Sequence, residues 1–242
     1  MSGWDFSWLA GRATEQRPSW GYQRLMADRL AAVTAALDLQ TGGGEVLAGA
    51  ATFPPTMAAT ESWPPNLALA TQRLHSRGVV VVADPDEPPL PFAVAAFDLI
   101  TSRHPARTWW GEIARVLRPG GTYFAQHVGP GSAREVYEFF LGPQPGPSRR
   151  DPEHERAEAE AAGLEVIQQR LERLRMEFFD VGAVVYFLRK VIWIVPGFTS
   201  ELHRDRLLDL HRRIEADGSF VAHSTRMLVE ARKPTARPPA VR

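Results

Sequence analysis

The chain has 242 residues, of which 44% are hydrophobic, with 28 Lys and Arg against 28 Asp and Glu and no cysteine. That length suits one large domain burying about 70% of its unfolded surface. The even charge excludes a general pull toward nucleic acid or anionic membrane, and the missing cysteines exclude disulfides, thiolate catalysis and Cys-ligated metals while fitting a reducing cytoplasm.

The first twenty residues are aromatic-rich (Trp4, Phe6, Trp8, Trp20) and form either a lid over a pocket or a flap on the outside of the core. No basic segment followed by an apolar run opens the chain, so no signal peptide is expected. Tyr22, Leu25, Met26, Leu30 and Val33 follow helical spacing and predict a helix over 21–33. The run 35–39 reads as a buried parallel strand. It meets Gln40-Thr41-Gly42-Gly43-Gly44, where glycine allows a sharp turn and close approach of a ligand, and a helix starts at Glu45.

Residues 56–61 read as a second strand ending on an acid. Pro64-Pro65 opens a helix that Gly78 ends. Residues 79–83 form a β-branched run without polar alternation, expected to be buried on both faces and leading to Asp84. A proline-rich loop follows over 85–91, then a strand over 97–101, a helix over 108–117, the breaker Pro119-Gly120-Gly121 and a strand over 122–127. Strands alternating with helices give a parallel sheet with helices on both faces, and ligands bind beyond the carboxyl ends of such strands. Those ends carry Gln40 to Gly44, Glu61, Asp84, Ser102 to His104 and Gln126 to Gly129.

The second part predicts a helix over 134–141, a Pro/Gly/Ser loop over 142–148, a charged helix over 153–162 and a long strand over 164–178. Asp180 caps a helix running through Ile192. Ser200 caps another ending at Gly218, and a last strand begins at Ser219. The stretch 181–195 contains Arg189 and Lys190 and is too short to span a bilayer. The tail over 232–242 is expected to be disordered.

Several marks together carry a resemblance: Leu37-Asp38-Leu39-Gln40-Thr41-Gly42-Gly43-Gly44; acids Glu61 and Asp84 closing the second and third strands; Leu90-Pro91-Phe92 ahead of Phe97-Asp98-Leu99-Ile100; and Ile113-Ala114-Arg115-Val116-Leu117-Arg118-Pro119-Gly120-Gly121. In their order they resemble the Rossmann-like S-adenosylmethionine-dependent methyltransferases, in particular the small single-domain bacterial group, over roughly residues 21–231. The resemblance implies an α/β fold with a mostly parallel seven-stranded sheet, an antiparallel C-terminal edge strand, and a helical cap (180–217) inserted before the last strand. It implies Asp38, Thr41, Gly42 and Gly44 against the methionine part of S-adenosylmethionine. Glu61 would lie on the ribose hydroxyls, Asp84 at the adenine amine, and Thr101, Ser102 and Arg103 at the amino-acid end. Gln40 stands where the family motif has its first glycine, which crowds or shifts the loop.

Methyl transfer from a sulfonium is an in-line displacement needing mostly proximity and orientation. His104 and His127 are candidate general bases, each alternatively a structural histidine. Arg103 can meet a substrate carboxylate or pair with Asp98 or Glu112. No metal-ligand spacing stands out; His203 and His211 are eight residues apart with no completing carboxylate. The leading expectation is a cytoplasmic methyltransferase, monomeric or homodimeric, acting on a small molecule rather than on nucleic acid. The alternatives are an RNA methyltransferase and, because of Gln40, a cofactor-binding protein of this fold without turnover.

Overall fold

The computed structural model describes residues 6–145 and 150–235. Trp4, residues 146–149 and the tail beyond 235 lie outside the described residues. The elements run β1 (Ala13–Glu15), α1 (Tyr22–Leu30), β2 (Ala35–Leu39), α2 (Glu45–Ala48), β3 (Thr56–Glu61), α3 (Pro64–Leu74) and β4 (Val79–Ala83). Then come β5 (Phe97–Arg103), α4 (Trp110–Val116), β6 (Leu117–Val128), α5 (Arg134–Leu141), α6 (Pro152–Ala161), β7 (Glu165–Phe178), α7 (Val181–Lys190), α8 (Arg204–Asp217) and β8 (Phe220–Arg232).

They build one eight-stranded sheet in the order β1-β7-β8-β6-β5-β2-β3-β4. From β4 to β6 every pairing is parallel; β8 is antiparallel to β6 and β7, and β1 is antiparallel to β7. The chain winds outward from β2 through β3 to β4, then returns to start β5 on the other side of β2. That reversal makes the β2/β5 junction the switch point where such sheets bind ligands.

Burial explains the halves. Every residue of β2 is buried, as an apolar strand flanked by two neighbours and two helical layers must be. On one face Ala36, Leu99, Phe124 and Leu228 pack with Tyr22, Met26 and Leu30 of α1 and Leu74 of α3. On the other, Leu37, Ile100, Tyr123 and Met227 pack with Trp110 and Ile113 of α4 and Ala159 of α6.

At the amino ends of the strands an ion-pair lock holds the fold. Asp98 Oδ2 accepts from the Thr34 and Ala35 amides, and Asp98 Oδ1 accepts from Arg118 at 2.7 Å. Arg115 bonds Glu112 and donates to the Leu90 and Phe92 carbonyls. Arg118 to Gly121 form an excursion in β6, because Phe97 pairs with Leu117 but Leu99 with Thr122.

The structure differs from expectation in several places. The sheet has eight strands, not seven, because residues 13–15 add β1 to its edge. The antiparallel β8 is internal, with β7 and β1 outside it. β4 is not buried on both faces: it is an edge strand, and Val80 is 62% exposed. A β-branched run specifies extended backbone, while burial depends on which neighbours the topology supplies. The helix after the glycine loop is a single turn. α7 ends at Lys190, before Ile192, and α8 begins at Arg204 rather than beside Ser200; there the Thr199 hydroxyl accepts from the Leu202 amide in a preceding turn.

The β7–β8 pair, joined through α7 and α8, outruns the parallel strands. β6 ends at Val128, paired with Arg226, while β8 starts at Phe220 opposite Phe178. The pair therefore projects about six residue pairs, or ~20 Å, past the sheet. The projection has its own core, in which Phe178, Ala222 and Phe220 pack with Val136 and Phe140 of α5, Val184 and Leu188 of α7, and Leu210 and Ile214 of α8. Trp8 stacks on Tyr186 at 4.9 Å, and Arg12 bonds Asp180, so the N-terminal segment fastens to this unit. Among the described residues no helix is long and apolar enough to cross a membrane.

Candidate functional site

The glycine loop sits at the carboxyl end of β2. Gly42 and Gly44 have φ of 65° and 77°, and a Cβ on Gly44 would come within 2.9 Å of Leu74. Left-handed backbone and helix contact together require glycine there. At Gly42 nothing lies within 4 Å of where a Cβ would stand, so the loop borders open space.

Acids surround it. Asp38 is buried and accepts from the Thr101 hydroxyl at 2.5 Å. Burial raises its pKa to about 6, against the opposing effect of that bond. The Thr41 hydroxyl lies near Asp38 but is buried without a hydrogen bond. Glu61, also buried, holds the loop: Oε2 accepts from the Gly42 amide and Oε1 from the Trp63 amide, both at 2.8 Å. An ionised carboxylate offers about four acceptor directions, so each oxygen keeps one for a diol. Asp84 is buried and accepts from the Asp86 amide at 2.8 Å.

Sequence reasoning missed Asp86. Desolvation, followed by the nearby charges of Asp84 and Glu61, raises its pKa to about 6. Only the Asp84-Pro85-Asp86 spacing hinted at a second acid beyond that strand.

Gln40 links these parts. It takes φ 55°, the left-handed region where the motif's glycine would be unstrained. Its Nε2 donates to Asp86 Oδ1 and to the Arg107 carbonyl, both at 2.8 Å, and its Oε1 accepts from the Ala106 amide at 2.6 Å. The side chain thus ties the end of β2 to the loops after β4 and β5. It leaves beside Leu39, Ser102, Thr108, Trp109 and Tyr123 a cavity of about 10 Å³, room for no more than one water.

Both candidate histidines are already bonded. His104 Nε2 lies 2.9 Å from Gln126 Nε2, and Gln126 Oε1 accepts from the Trp20 indole at 2.8 Å. Gln126 must then donate to His104, leaving the ring neutral with its proton on Nδ1. Burial, then the charges of Arg103 and Arg226, hold the His104 pKa well below its usual value. His127 is buried between Tyr123, whose hydroxyl meets Nε2 at 2.9 Å, and Glu155, whose Oε2 meets Nδ1 at 2.6 Å. Neither ring presents an unbonded lone pair in this arrangement. Glu155 was not legible, since α6 reads as a solvated charged helix.

Thr101 and Ser102 are buried, bonded to Asp38 and to the Leu39 carbonyl. Arg103 pairs with neither Asp98 nor Glu112, which are held by Arg118 and Arg115.

Residues 37–125 match the family model described as a methyltransferase domain. The fold is that of the class I methyltransferases. The YcgJ protein from Bacillus subtilis superposes with a TM-score of 0.61 at 15% identity, over 89% of this chain and 99% of that one. The [4+2]-cyclase SpnF gives 0.54 at 18%, over 91% and 84%. Phosphoethanolamine N-methyltransferase 2 of Haemonchus contortus, in complex with phosphomonomethylethanolamine and S-adenosylhomocysteine, gives 0.50 at 18%, over 89% and 53%. A search of curated proteins finds no sequence match. In this methyltransferase fold the glycine loop, Asp38, Glu61 and Asp84 all gather at one sheet end, whereas the Arg115, Arg118 and Asp98 marks form the lock at the other.

Proposed function

We propose that this protein is an S-adenosylmethionine-dependent methyltransferase acting on a small molecule in the cytoplasm. The observation that carries the reading is the set of acids converging on an open glycine loop at the switch point, inside the stretch that matches the methyltransferase domain. Acceptor-only carboxylates suit a ligand that offers a diol, an amine and a cationic sulfonium. Glu61 would hold the ribose hydroxyls, Asp84 the adenine amine, and Asp38 and the unbonded Thr41 hydroxyl the methionine part. When bound, the cofactor supplies a methyl group already activated for displacement. The chain's own task is then to place the acceptor and exclude water, which agrees with two histidines occupied by structural bonds.

A second reading is a cofactor-binding protein of this fold without methyl transfer. Gln40 favours it, because a side chain stands where the family motif has glycine and bonds the loops after β4 and β5 together. Calorimetric titration of S-adenosylhomocysteine decides whether the site exists. Micromolar affinity, weakened at least a hundredfold in Glu61→Ala, is expected. A folded parent that binds neither this ligand nor S-adenosylmethionine would sink both readings, while binding without labelled methyl transfer to any acceptor would leave the second.

A further inference from the structure

Beyond the switch point, at the carboxyl ends of β5 and β6, arginines gather. Arg103 closes β5 and pairs in register with Gln126 of β6; two residues further along β6, Val128 pairs with Arg226 of β8. The two arginines thus share the α1 face of the sheet, separated by one strand and about two residues. That is roughly 12 Å between their backbones, within the joint reach of two such side chains around one ligand. Both lie on the side of β5 away from the glycine loop.

Their partners differ. Arg226 bonds Glu15 at 2.6 Å and reaches Ser132, and Ser224 also donates to Glu15. The Arg103 guanidinium, unlike its strand-paired backbone, has no hydrogen bond or ion pair with any described residue. Its charged neighbours are Arg226 and Arg17, of like sign, and Glu15. The other carboxylates nearby are taken: Glu172 accepts from Ser19, and Glu155 meets His127. Three guanidiniums therefore face one carboxylate. Arg103 is open to solvent, and partial desolvation, followed by the like charge of Arg226, lowers its pKa. Water alone poorly compensates such a gathering of like charges, and an oxyanion offers the bidentate match a guanidinium fork prefers.

We propose that the acceptor carries an oxyanion, a carboxylate or phosphate, held by Arg103 with Arg226 beside it. The proposal rests on the methyltransferase reading and names the substrate class of that site. It is tested by thermal shift of the full chain saturated with S-adenosylhomocysteine, using benzoate, phenyl phosphate and uncharged benzamide as probes. At least one of the two anions should raise Tm and benzamide should not. In Arg103→Gln, saturated with S-adenosylhomocysteine, the half-maximal anion concentration should rise tenfold or more.

If neither anion acts on a parent that binds S-adenosylhomocysteine, or if benzamide matches benzoate, the oxyanion site is wrong and the methyltransferase reading stands. If Arg103→Gln loses S-adenosylhomocysteine itself, Arg103 serves the cofactor's carboxylate and the proposal falls. A parent that does not bind S-adenosylhomocysteine removes the reading beneath both. Phenyl phosphate acting without benzoate, or the reverse, assigns which oxyanion the two arginines take.

Discussion

The two halves of the sheet obey different rules. From β4 to β6 the strands are parallel, and the loops after β2, β3, β4 and β5 meet in one crowded site. From β8 to β1 the strands are antiparallel, long and partly projecting, and they carry a separate core with α5, α7 and α8. The first half is fixed by what it must hold: Gly44 cannot bear a Cβ, Asp38 and Glu61 are buried in bonds to the loop and its neighbours, and Asp98 ties strands together behind them. The second is anchored where Met227 and Leu228 of β8 enter the cores of the first, and its projecting part is held by packing of its own. A fold can keep one ligand half constant and remodel the other for a different acceptor, which is why the fold alone does not name the reaction.

The comparison breaks most visibly in the projecting core. Phe178 is buried and packs against Phe187 at 5.5 Å. Phe178→Ala should cost about 3–5 kcal/mol of unfolding free energy by denaturant titration, with S-adenosylhomocysteine affinity unchanged below the transition. Lost affinity in a protein that is still folded would show that the two halves work as one.

A smaller effect is expected at Gln40. Gln40→Gly removes a left-handed non-glycine residue and three side-chain bonds across the site. S-adenosylhomocysteine should bind about tenfold more tightly, equivalent to ~1.4 kcal/mol, as calorimetry would show. Weaker binding would mean that the amide is itself a ligand contact.

The smallest effect concerns protons. Asp86 has a folded pKa raised to about 6 from 3.8. A carboxyl raised on folding binds its proton more tightly in the native state, so it destabilises the fold above pH 6, and that penalty disappears as pH falls toward 4. Asp86→Asn keeps the acceptor for Gln40 and removes the charge. It should stabilise the protein at pH 8 by about 1 kcal/mol, discounted for partial exposure, and not at all at pH 4. A constant difference across that range would contradict the charge crowding in the ligand half.

The ligand half was the legible one. β2, β3 and β4 lie where their apolar runs place them, because a short run bounded by glycine, proline or an acid has few alternatives. The acids at strand ends stood out against apolar strands. Sequence could not show that the antiparallel strand is internal, since strand order is settled by crossovers and not by local pattern. Residues 13–15 carry no strand signal; pairing with β7 makes β1, with the Arg12–Asp180 pair beside it. Asp86 and Glu155 become site-adjacent only through tertiary placement. The hydrogen bonds of His104 and His127 were hidden for the same reason: Gln126 is 22 residues from one, and Glu155 is 28 residues from the other.

The bridge made by Gln40 also has a bearing on time. Were the proposed cofactor to need the loops after β4 and β5 apart, the Gln40 amide that holds them together would leave only the fraction of molecules with the bridge open competent to bind. The measured dissociation constant is then the intrinsic one divided by that fraction. The association rate in a stopped-flow experiment would level off at high ligand concentration, at the rate at which the bridge opens, so that one side chain sets the pace of every encounter.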